Sequence, residues 1–298
     1  MGIVAPASNI KRELLDAGCE ALRRLGYKPF YLESILEHDL YFAGSVERRA
    51  RELEEMFLRD EVRAIVCARG GYGANYLLPA LDVTKIAKHP KIFVGYSDIT
   101  SLLTWFADKA GFVTFHGPMV AKDFALAAGV DAASWDAALS GGSNWTIKSD
   151  SGMRSLIEGS AEGTLYGGCL SMLAASLGTP YEIQTEDTLL FIEDVAAKPF
   201  QIDRMLMQLK LAGKFKTVCG IVFGEMIDCI QSENQQYTLE EVILRVVGDL
   251  GIPIAYGLRS GHVSRGNVTL PIGVRARLEV GSNTASLQIT EAATDVSK

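Results

Sequence analysis

The stretch Lys91-Ile92-Phe93-Val94-Gly95-Tyr96-Ser97-Asp98-Ile99-Thr100 runs from an apolar segment into a polar turn, and a helix-like segment follows over residues 101–107. Two interpretations of Ser97 are open. Its hydroxyl can cap the helix by accepting a bond from an N–H group of the first turn. Alternatively, the turn can lift the hydroxyl clear of a sheet, where it attacks a carbonyl while nearby backbone N–H groups stabilise the oxyanion.

Strand and helix patterns alternate before this stretch. Short apolar runs predict strands over residues 2–6, 64–68 and 92–95. Helical spacing of apolar residues predicts helices over residues 11–25 and 46–58. Residues 27–32 predict another strand, which Pro29 would restrict to a sheet edge. Because the strands do not alternate in polarity, they favour a parallel, flavodoxin-like α/β sheet with helices on both faces.

The pattern of the chain changes near residue 142. The segment Ser140-Gly141-Gly142-Ser143-Asn144 interrupts the alternation, and many of the segments after it are short strands. Residues 276–280 and 285–290 predict a final hairpin. We therefore expect an N-terminal α/β domain over residues 1–142 and a smaller, mixed, β-rich domain over residues 143–298.

Composition excludes several classes of protein. The chain has 298 residues and a formal net charge of −7, without a run of lysine or arginine, so nucleic-acid binding is not expected. No apolar stretch reaches the ~18 residues of a membrane span, and no secretory signal is evident, so we expect a cytoplasmic protein without a membrane partner.

The five cysteines are odd in number and show no C-x-x-C spacing. Three of them, Cys67, Cys169 and Cys219, lie in apolar segments, which is typical of reduced, buried thiols. The spacing of cysteine and histidine does not suit zinc, so no metal or other cofactor is expected.

A glycine-rich segment follows the predicted strand at residues 64–68. This segment, Arg69-Gly70-Gly71-Tyr72-Gly73, is called the glycine loop below. Ligands of open parallel sheets bind beyond the carboxyl ends of the strands, where Ser97 is also expected. The loop has neither dinucleotide-binding nor Walker-type spacing, so two alternatives stay open: a simple turn, or an oxyanion wall facing Ser97.

A serine nucleophile needs a base, and a base needs an orienting carboxylate. The candidate bases are His38, His89, His116 and His262. The carboxylates Glu193 and Asp194 close the apolar run Leu189-Leu190-Phe191-Ile192. Either carboxylate can be a plain loop charge or the half-buried partner of a histidine, and spacing alone does not choose.

Taken together, the motifs resemble the LD-carboxypeptidases, a serine peptidase family that includes microcin C self-immunity hydrolases. The resemblance is carried, in chain order, by Ala68-Arg69-Gly70-Gly71-Tyr72-Gly73, Gly95-Tyr96-Ser97-Asp98-Ile99-Thr100, His116-Gly117-Pro118-Met119, Leu190-Phe191-Ile192-Glu193-Asp194-Val195, Ile202-Asp203-Arg204-Met205-Leu206, and Gly261-His262 before Asn267-Val268-Thr269-Leu270-Pro271-Ile272-Gly273.

The resemblance implies a triad of Ser97 as nucleophile, His262 as general base and acid, and Glu193 as orienting carboxylate. It places the triad between the two domains. The oxyanion donors implied are the backbone N–H groups of Asp98 and Gly71.

Arg69, Gly70 and His116 are expected to line the cleft, with a structural role as the alternative for His116. One departure concerns Cys169, which stands where the family often has asparagine. Cysteine cannot supply the amide hydrogen bonds, so the substrate preference of the cleft can differ.

The implied activity is cytoplasmic hydrolysis of an L,D-peptide bond that releases terminal D-alanine from murein tetrapeptides, in peptidoglycan recycling, by a homodimer without a cofactor. A self-immunity amidase that cleaves a peptidyl-nucleotide or aminoacyl-nucleotide is the alternative within the family. A non-catalytic α/β protein that binds a small ligand is the alternative from another class; it predicts no labelling of Ser97 by a serine-directed phosphonate.

Overall fold

Two separate sheets organise the residues that the structure describes. The structure, a computed structural model, describes residues 1–148, 152–230 and 236–295. It divides into a first unit of Met1–Asp136 with Arg265–Ile272, and a second unit of Ala137–Ser264 with Gly273–Lys298. The break therefore lies a few residues before the position expected near residue 142.

The strands and helices of the described residues have the following bounds. The strands are β1 (Gly2–Val4), β2 (Ala64–Cys67), β3 (Ile92–Gly95), β4 (Thr114–His116), β5 (Trp145–Ile147), β6 (Arg154–Ile157), β7 (Gly159–Cys169), β8 (Thr188–Glu193), β9 (Val218–Gly224), β10 (Ile254–Leu258), β11 (Leu270–Ile272), β12 (Arg275–Val280) and β13 (Ala285–Ile289). The α-helices are α1 (Arg12–Arg24), α2 (Val46–Leu58), α3 (Val83–Ala87), α4 (Thr100–Trp105), α5 (Ala132–Leu139), α6 (Leu170–Ala175), α7 (Pro199–Leu211) and α8 (Leu239–Val247).

The first unit is built on a sheet of order β1-β2-β3-β4-β11, in which the first four strands run parallel. Every residue of β1, β2 and β4 is buried. Since successive side chains of a strand point to opposite faces, burial of all of them means that both faces are covered. The parallel α/β architecture expected from the sequence is confirmed.

The strand predicted over residues 27–32 is wrong as an element, because it is reduced to a single bridge. Phe30 donates its N–H to the carbonyl of Met1 at 2.9 Å and accepts the N–H of Ile3 at 2.8 Å. Pro29 lacks a donor, which fits an outer edge rather than a longer ladder. If the bridge at Phe30 is counted as a strand, it is the second in chain order and lies outside β1, while β2, β3 and β4 become the third, fourth and fifth. The sheet order then reads 2-1-3-4-5, as in flavodoxin-like sheets.

The expected domain limits are wrong for one segment of the chain. Residues 265–272 return to the first unit, where β11 pairs antiparallel with β4 through Leu270 and His116. Pro271 is tolerated because β11 is an edge strand. The sequence assigned this buried apolar run to the second domain because it lies far along the chain.

The second unit holds a mixed sheet of order β5-β13-β12-β7-β8-β9-β10-β6. Its central strands β7, β8, β9 and β10 run parallel, and the helices α6, α7 and α8 connect them in turn. The final hairpin predicted by the sequence is confirmed as β12 and β13. The second unit is therefore richer in strands than the first, and at its centre parallel strands alternate with helices along the chain.

Candidate active site

Ser97 lies at a sharp turn between β3 and α4. It has φ of +64°, in the left-handed region that residues other than glycine seldom adopt. Strained backbone of this kind clusters at functional sites. Helix α4 begins after Ile99, which provides no side-chain cap, so Ser97 is not the cap of this helix. The structure thus favours the interpretation in which the turn lifts the hydroxyl of Ser97 clear of the sheet over the interpretation in which Ser97 caps the helix.

The glycine loop packs directly against Ser97. A methyl group placed on Gly70 would lie 2.8 Å from Cβ and 3.1 Å from Oγ of Ser97. Gly71 has φ of +104°, and a methyl group placed on it would lie 2.3 Å from Oγ of Ser8. Both positions therefore require glycine, because the loop approaches its neighbours too closely for any side chain.

Ser8, just beyond β1, holds the glycine loop through two hydrogen bonds. Its N–H donates to the carbonyl of Gly70 at 3.2 Å, and its Oγ accepts the N–H of Tyr72 at 3.0 Å. No sequence motif indicated Ser8. The position after a parallel strand was the available clue, because ligand sites of such sheets lie there.

Asp98 and Arg49 hold the far end of the loop. Asp98 is 2% exposed, and its Oδ2 accepts the N–H of Ala74 at 2.7 Å. Burial raises the pKa of Asp98 to about 6, while its hydrogen bonds and the charge of Arg49 act in the opposite direction. Arg49 donates to the carbonyls of Gly73 at 2.8 Å and Pro6 at 2.7 Å. No sequence pattern indicated that Arg49 is buried beneath this loop.

The three residues expected to line a cleft have different environments. Arg69 is exposed and donates to the carbonyl of Asn9 at 3.3 Å, and Gly70 adjoins Ser97 as described. His116 is 0% exposed, and its ring centroid lies 5.8 Å from that of Tyr96. Complete burial favours the structural role for His116 over the cleft-lining role.

In the second unit, the fully buried Glu193 pairs with the partly buried His262. Glu193 is the last residue of β8 and is 0% exposed. Its Oε2 lies 2.7 Å from Nδ1 of His262 and also accepts the backbone N–H of His262 at 3.1 Å. A carboxylate there makes Nδ1 the protonated nitrogen, which leaves Nε2 as the acceptor. The structure thus pairs His262 with Glu193, a choice that the spacing of the sequence had left open.

The strand neighbours of Glu193 leave little room around it. A methyl group placed on Gly224 would lie 2.7 Å from Cβ of Glu193. Cys169 is its register partner on β7, and the thiol lies 3.2 Å from Oγ of Ser171. Burial first, and the nearby carboxylates second, raise the pKa of Cys169 well above its usual value. A neutral thiol is the form that suits this position beside a carboxylate.

Asp194, the other candidate carboxylate, bonds to backbone instead. Its two oxygens accept the N–H groups of Ser171 at 2.9 Å and Val195 at 2.8 Å. Burial raises its pKa, and these hydrogen bonds oppose the rise. These bonds fit a carboxylate that fixes local backbone.

The described ranges contain neither a metal-binding cluster nor a membrane-crossing helix. Among residues 1–148, 152–230 and 236–295, no cluster of three or more histidine, cysteine, aspartate or glutamate side chains is placed to hold a metal ion. In the same ranges, no helix combines the length and apolarity that a membrane crossing requires. The five cysteines all lie in the described ranges as reduced thiols, and Cys219, expected to be buried, is partly exposed.

Comparison with known proteins identifies the family. Residues 1–117 match the LD-carboxypeptidase N-terminal domain, and residues 162–278 match the LD-carboxypeptidase C-terminal domain. The chain is 38% identical to the probable murein peptide carboxypeptidase of Bacillus subtilis, over 97% of this chain and 91% of that protein. The chain therefore belongs to the LD-carboxypeptidase family, as the sequence motifs indicated.

Two further relatives show the range of the family. The crystal structure of muramoyltetrapeptide carboxypeptidase from Oxalobacter formigenes superposes with a TM-score of 0.88 at 30% identity, covering 98% of this chain and 99% of that one. The microcin C7 self-immunity protein of Escherichia coli is 30% identical over 96% of this chain and 91% of that protein.

Proposed function

We propose that this protein is a serine carboxypeptidase that hydrolyses the L,D-peptide bond before the terminal D-alanine of a murein tetrapeptide. Ser97 is the nucleophile, His262 the general base and acid, and Glu193 the carboxylate that orients His262. The observation that carries the proposal is the left-handed turn of Ser97 with Gly70 packed against it, since this geometry exposes a hydroxyl beside backbone donors. The Glu193–His262 contact supports it, because a histidine held by a carboxylate is what the proposed triad requires besides the serine.

The proposed reaction proceeds through an acyl-enzyme. Oγ of Ser97 attacks the carbonyl carbon of the scissile bond while Nε2 of His262 takes the hydroxyl proton. The N–H groups of Asp98 and Gly71 stabilise the oxyanion. The C–N bond then breaks, and protonated His262 gives its proton to the amine of the departing D-alanine. A water molecule, deprotonated by His262, hydrolyses the ester and restores Ser97.

A mass measurement tests this proposal. Purified tetrapeptide is incubated with the protein, and loss of one alanine residue is followed by mass spectrometry. Ser97→Ala should abolish the release, whereas Ser101→Ala, a serine in the adjoining helix α4, should retain it. Release that survives Ser97→Ala, or that a chelator abolishes, would contradict the serine mechanism.

The second candidate function is a self-immunity amidase. It is favoured by the 30% identity to the microcin C7 self-immunity protein across 96% of this chain. The same triad would then cleave an aminoacyl-nucleotide. Parallel assays of D-alanine release and of aminoacyl-sulfamoyl adenosine cleavage separate the two activities, and the larger kcat/KM identifies the natural one.

A role in peptidoglycan recycling, a cytoplasmic location and a homodimer are further parts of the proposal, and they rest on the family resemblance. Light scattering of the purified protein checks the oligomeric state. Fractionation of the source cells checks the location. A monomer or an extracytoplasmic protein would correct these parts without affecting the proposed chemistry.

A further inference from the structure

We propose that the side chain of Asp98 is a positioning residue for the oxyanion hole: it ties the glycine loop to the nucleophile turn, so that the N–H of Gly71 stays beside Ser97. The inference rests on the proposed role of Ser97 as nucleophile. It assigns to the Asp98 side chain a role separate from that of its backbone N–H.

The geometry points to this role because Asp98 serves both halves of the oxyanion hole. Its backbone follows Ser97 directly and supplies the first proposed donor. Its carboxylate, 2% exposed, accepts the N–H of Ala74 at 2.7 Å, and Ala74 follows the glycine loop that carries the second donor. A single residue therefore connects the turn that carries one proposed donor to the loop that carries the other.

The other anchors of the loop come from outside the nucleophile turn. Ser8 holds Gly70 and Tyr72, and Arg49 of α2 holds Gly73. None of these hydrogen bonds, nor the one to Asp98, uses the N–H of Gly71. Among these anchors, Asp98 is the one that links the loop to Ser97 itself.

Electrostatics argues for a positioning role rather than a direct one. A negative charge beside a developing oxyanion opposes its formation, and this carboxylate is buried and mostly desolvated. The charged and titratable groups that act on it are Arg49 of α2 and Tyr72 of the glycine loop. What the site gains from Asp98 is thus its hydrogen-bond acceptor, which a neutral amide of the same shape also provides.

The test measures how fast a fluorophosphonate labels Ser97, read by intact mass, because phosphonylation needs the nucleophile and the oxyanion hole but no murein substrate. Asp98→Ala and Asp98→Leu remove the acceptor and should slow labelling about 10–100-fold. This is at or below the roughly 10²–10³-fold cost of losing an oxyanion donor outright, because the donor is displaced and not removed. Asp98→Asn keeps an acceptor and should label within about threefold of wild type. The control is Asp82→Ala, which removes a carboxylate that accepts the N–H of Lys85 at 3.0 Å at the start of α3, and should label like wild type.

The labelling rates of these variants support or refute the positioning role of Asp98. The inference fails if a folded Asp98→Ala or Asp98→Leu variant labels at the wild-type rate, or if Asp98→Asn is as slow as these two. It also fails, together with the assignment of the nucleophile, if wild-type Ser97 is not labelled. Normal labelling without release of D-alanine overturns the proposed substrate alone and leaves the inference standing.

Discussion

Gly70→Ala offers a direct test of the contact between the glycine loop and the proposed nucleophile, Ser97. The added methyl group would lie 2.8 Å from Cβ of Ser97, whereas carbon atoms pack at about 3.5–4.0 Å. The loop or the serine must therefore move by about 0.7–1.2 Å. A misplacement of about 1 Å at a reacting group can cost about 100-fold in rate.

We expect kcat/KM for D-alanine release to fall about 30–100-fold, which corresponds to about 2–3 kcal/mol. Overpacking should also lower the free energy of unfolding by about 1–3 kcal/mol, which urea unfolding measures. The matched control is Gly142→Ala, because a methyl group on Gly142 meets nothing closer than 3.7 Å. If Gly70→Ala kept wild-type kcat/KM, the glycine loop would not be the oxyanion wall of this enzyme.

Three further predictions concern the pair in the second unit, one buried carboxylate and the thiols. Glu193→Gln should lower kcat by about 10²–10⁴-fold, because the amide no longer secures the Nδ1-protonated form of His262; KM should change little, and a variant with normal kcat would remove Glu193 from the triad. The raised pKa of Asp98, about 6 against 3.8, means that its contribution to the free energy of unfolding is greatest below the unfolded pKa and is lost as pH rises through about 6. Relative to wild type, the free energy of unfolding of Asp98→Asn should therefore rise by up to about 3 kcal/mol as pH goes from about 4 to about 7.5. If urea unfolding shows the same difference between the two proteins at both pH values, this charge is not buried. Native protein should expose mainly Cys219 to a thiol reagent, and rapid reaction of buried Cys67 would contradict the packing of β2.

Much of the first unit could be predicted from local pattern. Helix α2 has the bounds that apolar spacing indicated, Val46–Leu58, and the apolar runs became β1, β2 and β3. Local pattern succeeds here because the apolar residues of each element, such as Leu53, Met56 and Phe57 of α2, are buried together. The strand predicted over residues 27–32 was wrong because only Phe30 of that segment pairs with β1.

The parts of the site that could not be predicted depend on contacts between distant residues. Motif order indicated Ser97, Glu193 and His262, but nothing local indicated that Arg49 lies buried under the glycine loop or that Ser8 holds it. The left-handed backbone of Ser97 was also invisible, since serine has no preference for that region. Such features follow from tertiary packing, which overrides local propensity.

The return of residues 265–272 to the first sheet has a consequence for how the protein is made. Until Ile272 has left the ribosome, β4 lacks its partner β11 and presents an open strand edge, which is a hazard for aggregation. By then His262 has already been synthesised. The unit that carries the proposed nucleophile can therefore complete its sheet only after the other two proposed triad residues have been synthesised. A fragment that ends at residue 142 should, by the same argument, be poorly soluble.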